Sequence, residues 1–302
     1  MLITIKDSRI TAVIDSTGAQ LISLRDASGR EYIWQRDPKY WKKCSPLLFP
    51  VVGNCRNDRT ILEDRIYAIE KHGFCRERDF DVSQETSSKA VFSMGDTPDT
   101  HKAYPYAFRL SLAYELKDGV LFMKYQVENR DQRDMWYAIG AHPGFNCPME
   151  EGYALEDYQL VFEKEENTVS IPYDLDQLHF APYKTGTTLK GSILPLSREM
   201  FKHDAVFFDR LNSRAVSILN PATGRGVEVG FPGFETVAFW TLCPEPAPYL
   251  CVEPWNGSGI YENEDDQLSH RHHIQHLCPG DSRSYVMTIR ILGCSSPKKH
   301  NQ

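Results

Sequence analysis

Three short segments place an ionisable side chain among glycine, proline and aromatic residues: KHGFCRERDF at 71–80, YAIGAHPGFN at 137–146 and YLCVEPWNG at 249–257. Glu253 follows the apolar run Tyr249-Leu250-Cys251-Val252 and precedes Pro254-Trp255. That context puts its carboxylate at the end of a buried strand, where an unpaired charge is costly. Such a group is either paired for structural reasons or tuned for proton transfer. His142 stands before Pro143 and His72 before Gly73. Each is either a turn histidine held by backbone or a proton carrier whose pKa responds to burial and neighbours. A carboxylate and a histidine acting together supply general acid–base catalysis. Arg76, four residues after His72, could reach an anionic substituent or pair with a carboxylate such as Asp79.

Strands must carry these segments. Polar and apolar residues alternate along much of the chain, most clearly at 108–127. There Phe108, Leu110, Leu112, Tyr114 and Leu116 share one face, and Leu121, Met123, Tyr125 and Val127 repeat the pattern after Lys117-Asp118-Gly119. Asp-Gly between two such runs predicts a tight antiparallel hairpin, because both residues tolerate positive φ. Similar runs at 2–14, 20–24, 66–70, 89–94, 214–219, 226–231, 236–241 and 284–291 are punctuated by Gly, Pro, Asn and Asp. Residues 37–43 and 196–203 offer a helical turn or two each. The fold class is therefore all-β. No linker, fixed-period repeat or shift in composition divides the chain, so 1–294 reads as one domain and 295–302 (SSPKKHNQ) as a polar tail.

Composition narrows the ligand class. Hydrophobic residues make up 41% and charged residues 25% of the 302, enough to bury a substantial core. A formal charge of −7 and a pI near 5.8 argue against nucleic acid or an anionic membrane, both of which reward clustered Lys and Arg. A small neutral ligand fits better. No apolar run approaches the ~20 residues that span a bilayer, and MLITIKDSRITAVID alternates instead of showing a signal peptide. A cytoplasmic location is expected, with the eight cysteines, scattered and without a CxxC pair, as reduced thiols. His270, His272, His273 and His276 lie in the polar stretch DDQLSHRHHIQHL. They lack the ligand spacing of a known metal site, so a solvated loop and no metal are expected.

Taken in order, the segments resemble the aldose 1-epimerase (galactose mutarotase) family, and look closest to its bacterial mutarotase-like branch. That branch carries HGF(A)R, a His-Pro-x-Phe-Asn turn and a (C)xEPW segment; here they stand as HGFCR at 72–76, HPGFN at 142–146 and CVEPW at 251–255. The blocks EYIWQRDPKYWKKCSPLLFPVVGNCRND (31–58) and LCPGDSRSYVMTI (277–289) read like the same branch, and the resemblance runs from about Val13 to Ile291. It implies a β-supersandwich, with the sugar in a cleft across one sheet and neither cofactor nor metal.

The resemblance also implies roles. Glu253 matches the general base that takes the proton from the C1 hydroxyl, and His142 the general acid on the ring oxygen. His72 matches the histidine that orients the sugar. Asp204, in HDAVFF, looks like the aspartate that holds a sugar hydroxyl, with Asp209 as its neighbouring alternative. Arg56 of GNCRND is the counterpart of a substrate-contacting basic residue. Asn54 departs from the pattern, since many relatives carry Arg after the glycine corresponding to Gly53, and this bears on which hydroxyl is recognised. Trp255 and Phe145 offer flat faces for the C–H side of a pyranose. The acid–base pair predicts a charged His142 and an ionised Glu253 on opposite sides of one cleft. The expected function is an aldose 1-epimerase acting on a small carbohydrate as monomer or homodimer. A hexose-6-phosphate 1-epimerase, which needs a cluster of Arg and Lys, and a non-catalytic sugar-binding protein are the alternatives. A glycoside hydrolase usually needs two suitably spaced carboxylates, and only one is evident.

Overall fold

Asp118-Gly119 closes a hairpin between strands Phe108–Lys117 and Val120–Asn129, with φ of 54° and 77° at the two turn residues. Alternation then sorts the faces. Phe108, Leu110, Leu112, Tyr114 and Leu116 are buried, whereas Arg109, Glu115 and Lys117 are exposed. The structure, a computed structural model, describes residues 1–293; the polar tail expected at 295–302 lies outside the described residues.

The hairpin lies within a nine-stranded antiparallel sheet. Its order is Thr188–Pro195, Gln159–Val169, Ala215–Leu219, Gly226–Gly230, Ser282–Leu292, Val120–Asn129, Phe108–Lys117, Lys89–Gly95 and Asp81–Thr86. The run read at 2–14 divides into Leu2–Lys6 and Ile10–Asp15. Asp7 makes the break: its carboxylate accepts the backbone N–H groups of Arg9 (2.7 Å) and Ile10 (2.9 Å), a turn built by a side chain that competes with the strand ladder. Among the described residues the helical segments are short 3₁₀ turns, and no helix is long and apolar enough to cross a membrane.

A second sheet of six strands carries two of the three chemistry-bearing segments, those at 137–146 and 249–257. Tyr249–Asn256 lies inside it, paired with Thr236–Trp240 on one side and with Ile139–Ala141 and Gly144–Asn146 on the other. This strand is buried along its whole length, which is why its sequence reads as continuously apolar around one carboxylate. Leu250, Val252, Val237 and Phe239 join Leu112, Tyr125, Val229 and Met287 in the main core between the sheets. Ala238, Phe207 and Trp255 belong to a smaller cluster with Tyr173, Phe180 and Tyr261. The sheet is thus covered on both faces, and the smaller cluster shapes a cavity.

Candidate active site

Glu253 is the fifth residue of the eight-residue strand Tyr249–Asn256, mid-strand instead of at the strand end. Side chains alternate along a strand, so Cys251, Glu253 and Trp255 share a face. Ala238 and Gly140 lie opposite Glu253 and Trp255 in register. A Cβ on Gly140 would come within 2.5 Å of the Trp255 ring; the missing side chain makes room for the indole. Glu253 and Trp255 line a cavity of about 230 Å³ that also includes His72, His142, Arg76 and Asp204.

The turn that follows Ile139–Ala141 delivers His142 to the carboxylate. Its Nε2 lies 3.2 Å from Glu253 Oε1, and its ring stacks on Trp41 at 5.0 Å and meets Trp240 edge-on at 5.8 Å. The side chains of the pair are 10% and 2% exposed. Burial lowers the His142 pKa to about 3, with Lys71, Arg76 and Lys43 adding to the effect. Burial also raises Glu253 well above the carboxylate range, while Lys71 and the nearby Trp255 indole oppose that rise. Both directions disfavour separate charges. The groups are therefore adjacent partners sharing one proton, and the expectation of a charged pair across a cleft is corrected by their contact and their burial.

His72 is fixed by an exchange with Gly53: the Gly53 N–H donates to Nδ1 (3.1 Å), and the His72 N–H donates to the Gly53 carbonyl (3.0 Å). With Nδ1 accepting, the proton of the neutral ring resides on Nε2. Burial, followed by the charge of Lys71, holds the imidazole well below its usual pKa. The turn requires positive φ at both His72 (68°) and Gly73 (70°). A Cβ on Gly73 would lie 2.1 Å from the Phe49 carbonyl oxygen, a backbone atom that cannot swing aside. Gly73→Ala is accordingly expected to cost about 2–4 kcal/mol and lower the melting temperature by roughly 5 °C or more. A thermal melt within about 1 °C of the parent would show that this turn is not pinned.

Polar groups ring the remainder of the cavity. Asp204, in a left-handed conformation (φ 69°), has its carboxylate 3.9 Å from Lys71 Nζ. Asp209 is instead 3.9 Å from His273. Arg76 lies 3.6 Å from Glu77 and 3.9 Å from Glu70, while Asp79, its anticipated partner, accepts from Thr17 (2.7 Å). Arg76 Nε, Asn54 Oδ1 and Tyr173 Oη are buried atoms with no hydrogen-bond partner among the described residues, and all three residues line the cavity. Buried polar atoms are normally paired, so these suit a ligand rich in hydroxyl groups.

Residues 1–275 match the family described as aldose 1-epimerase. The chain belongs to the aldose 1-epimerase family. It is 33% identical over 299 residues to the chromosomal protein LacX of Lactococcus lactis subsp. lactis, spanning 96% of this chain and 99% of LacX. The galactose mutarotase related enzyme of Lactobacillus acidophilus has a TM-score of 0.92 at 30% identity, with 96% and 97% of the two chains covered. A galactose mutarotase-like protein of Lactobacillus casei has a TM-score of 0.89 at 26% identity, covering 96% and 100%. The family and its sandwich fold, expected from the ordered motifs, are thereby shown.

Two expected binding residues, Arg56 from the aldose 1-epimerase resemblance and Phe145 from its flat apolar face, stand apart from the cavity lining. Arg56 turns its guanidinium to Asp266 (3.2 Å) and the carbonyl of Glu264 (3.0 Å), so it braces the 262–266 loop beside a separate cleft. Phe145 is fully buried opposite Leu250, while Gly144 lies opposite Cys251. Strand parity therefore sends Phe145 to the main core, on the face away from Glu253. Trp41 and Trp240 line the cavity instead, with Lys43 and Lys71. Sequence reasoning missed all four: Trp41 and Lys43 belonged to a block matched only as a whole, Trp240 to a run read as a plain strand, and Lys71 to a segment read for its histidine and arginine.

The four clustered histidines disperse onto separate carboxylates. His270 pairs with Asp265 (2.9 Å), His272 with Glu264, His273 with Glu235 (2.8 Å) and His276 with Asp134 (3.3 Å). Two sets of donor atoms, His142/Cys251/Glu253 and Asp134/His276/Cys278, each lie within 4.8 Å of one another and could hold a metal ion. In the first set a metal would have to deprotonate a Cys251 thiol that burial pushes well above its ordinary pKa.

Proposed function

We propose that this chain interconverts the α and β anomers of an aldose by opening and reclosing its hemiacetal ring. With the shared proton of the pair moved to His142, Glu253 takes the proton of the C1 hydroxyl while His142 protonates the ring oxygen, and the pair is left with its one proton on Glu253. The C1–O5 bond breaks and a C1 carbonyl forms; rotation about C1–C2 and the reverse transfers close the ring as the other anomer. His72 donates a hydrogen bond through Nε2, and Asp204, Arg76 and Trp255 hold the sugar.

The observation that carries this reading is the Glu253–His142 contact of 3.2 Å between two buried groups. O1 and the ring oxygen are both attached to C1, so a donor and an acceptor serving them must converge on one carbon. A one-proton pair can deliver at one oxygen and accept at the other, and each transfer restores its count. Anomer exchange measured by NMR saturation transfer, or by polarimetry on freshly dissolved α-anomers, is expected to accelerate in proportion to enzyme concentration. No acceleration over buffer across free and 6-phosphorylated aldoses would sink the proposal.

A further inference from the structure

Three cationic side chains, Lys43, Lys71 and Arg76, line the same cavity as the acid–base pair. Among the described residues Asp204 is the one carboxylate that lines it besides Glu253, and Glu253 shares its proton with His142. The lining thus carries three positive charges against one negative charge, in a chain whose formal charge is −7. Clefts that gather one sign of charge focus the field on a ligand of the opposite sign. The field reaches the catalytic end, since Lys71, Arg76 and Lys43 all push the His142 pKa down.

The acidic neighbours of these cations leave most of that field standing. Glu77 bonds Lys43 (2.8 Å) and lies 3.6 Å from Arg76, but its side chain is 65% exposed; Glu70 is 81% exposed. Water and salt screen such groups strongly. Arg76 is only 16% exposed and its Nε has no hydrogen-bond partner among the described residues. A planar guanidinium with a free N–H suits an oxyanion. A neutral sugar would leave the lining with its net positive charge, offset mainly by exposed carboxylates.

Depth orders the groups. Glu253 and His142 are 2% and 10% exposed, Arg76 16%, Lys43 35% and Lys71 47%. The reacting end of the ligand is thus deep and the cations lie progressively outward. From this we infer that the aldose carries an anionic substituent away from C1, a phosphate monoester or a carboxylate, held by Lys43, Lys71 and Arg76. The inference rests on the epimerase reading and deepens it. It adds Lys43 and Lys71, to which the resemblance gives no role, to Arg76 of the HGFCR segment, and it gives Arg76 a ligand where Arg56 has been drawn away.

The test compares kcat/KM for anomer exchange on an aldohexose, its 6-phosphate and the matching hexuronate. At least one anionic member is expected to exceed the free sugar by about tenfold or more. The phosphate and carboxylate arms identify which oxyanion is read. The KM of the preferred member should rise severalfold between low and high salt, with a smaller change for the free sugar. Arg76→Met and Lys71→Met should each collapse the ratio of anionic to free substrate toward one. Equal or better turnover of the free sugar would overturn the inference while leaving the epimerase reading intact. Turnover of none of the three would remove both, so the two failures are distinguishable.

Discussion

Replacing Glu253 by Gln is expected to lower kcat for anomer exchange by about 10²- to 10⁴-fold, the range for loss of a positioned general base. The amide keeps the size of the side chain and can donate an N–H to His142 Nε2, which the carboxyl oxygen approaches to 3.2 Å. It cannot accept the C1 hydroxyl proton and pass it on. Folding should not suffer. Glu253 is 2% exposed, and burial already works against its charged form, so an uncharged isostere removes a desolvation cost. The expected signature is an unchanged or slightly higher melting temperature, sugar binding within a few-fold of the parent, and turnover close to the buffer rate. A loss of less than about tenfold, on a variant shown to be folded, would remove Glu253 from the proton path.

The second large effect concerns His142 and pH. Turnover should trace a bell whose plateau is the one-proton state of the pair, so its limbs belong to the pair and not to either residue. Free groups would titrate at about 4.3 and 6.5. Burial lowers His142 to about 3 and raises Glu253. Addition of a second proton is thus delayed to lower pH and loss of the shared proton to higher pH. The plateau should be wider than the free values allow. Lys71, Arg76 and Lys43 oppose added positive charge on His142, and Lys71 favours the ionised Glu253, moving both limbs downward; Asp204 acts in the other direction on Glu253. His142→Asn should lower kcat by about 100-fold or more and abolish the basic limb, leaving an acidic limb set by ionisation of Glu253. KM should change little, because Asp204, Arg76 and His72 still line the cavity. If the variant keeps near-normal turnover and an unchanged profile, the proton donor is elsewhere, and His72, whose ring lies 5.6 Å from that of His142, is the next residue to replace.

Features set by neighbouring residues were legible before the fold. The Asp118-Gly119 hairpin depends on two residues that accept positive φ, and the flanking alternation assigns its faces. Where local chemistry conflicts with the strand period, the reading failed. Gln159–Val169 was absent from the anticipated strands because Glu163, Lys164, Glu165 and Glu166 interrupt its alternation. A register shift between Val161 and Glu166 absorbs the irregularity, and buried Glu166 accepts the backbone N–H groups of Asn212 (2.9 Å) and Ser213 (2.7 Å). No local signal announces a partner almost fifty residues away.

The sequence by itself determined the all-β class, the family and the three segments bearing Glu253, His142 and His72, because residue types and turn chemistry are local properties preserved in order along the chain. Tertiary structure decided which side chains share the cavity. Strand pairing set the parity that turns Phe145 into the core and Trp255 toward Glu253. Loop packing drew Arg56 to Asp266 and brought Lys43, Lys71 and Arg76 into the cavity lining. Only burial of two touching groups converted an anticipated pair of separate charges into one shared proton, since desolvation depends on the whole surroundings of a residue and not on its neighbours in sequence.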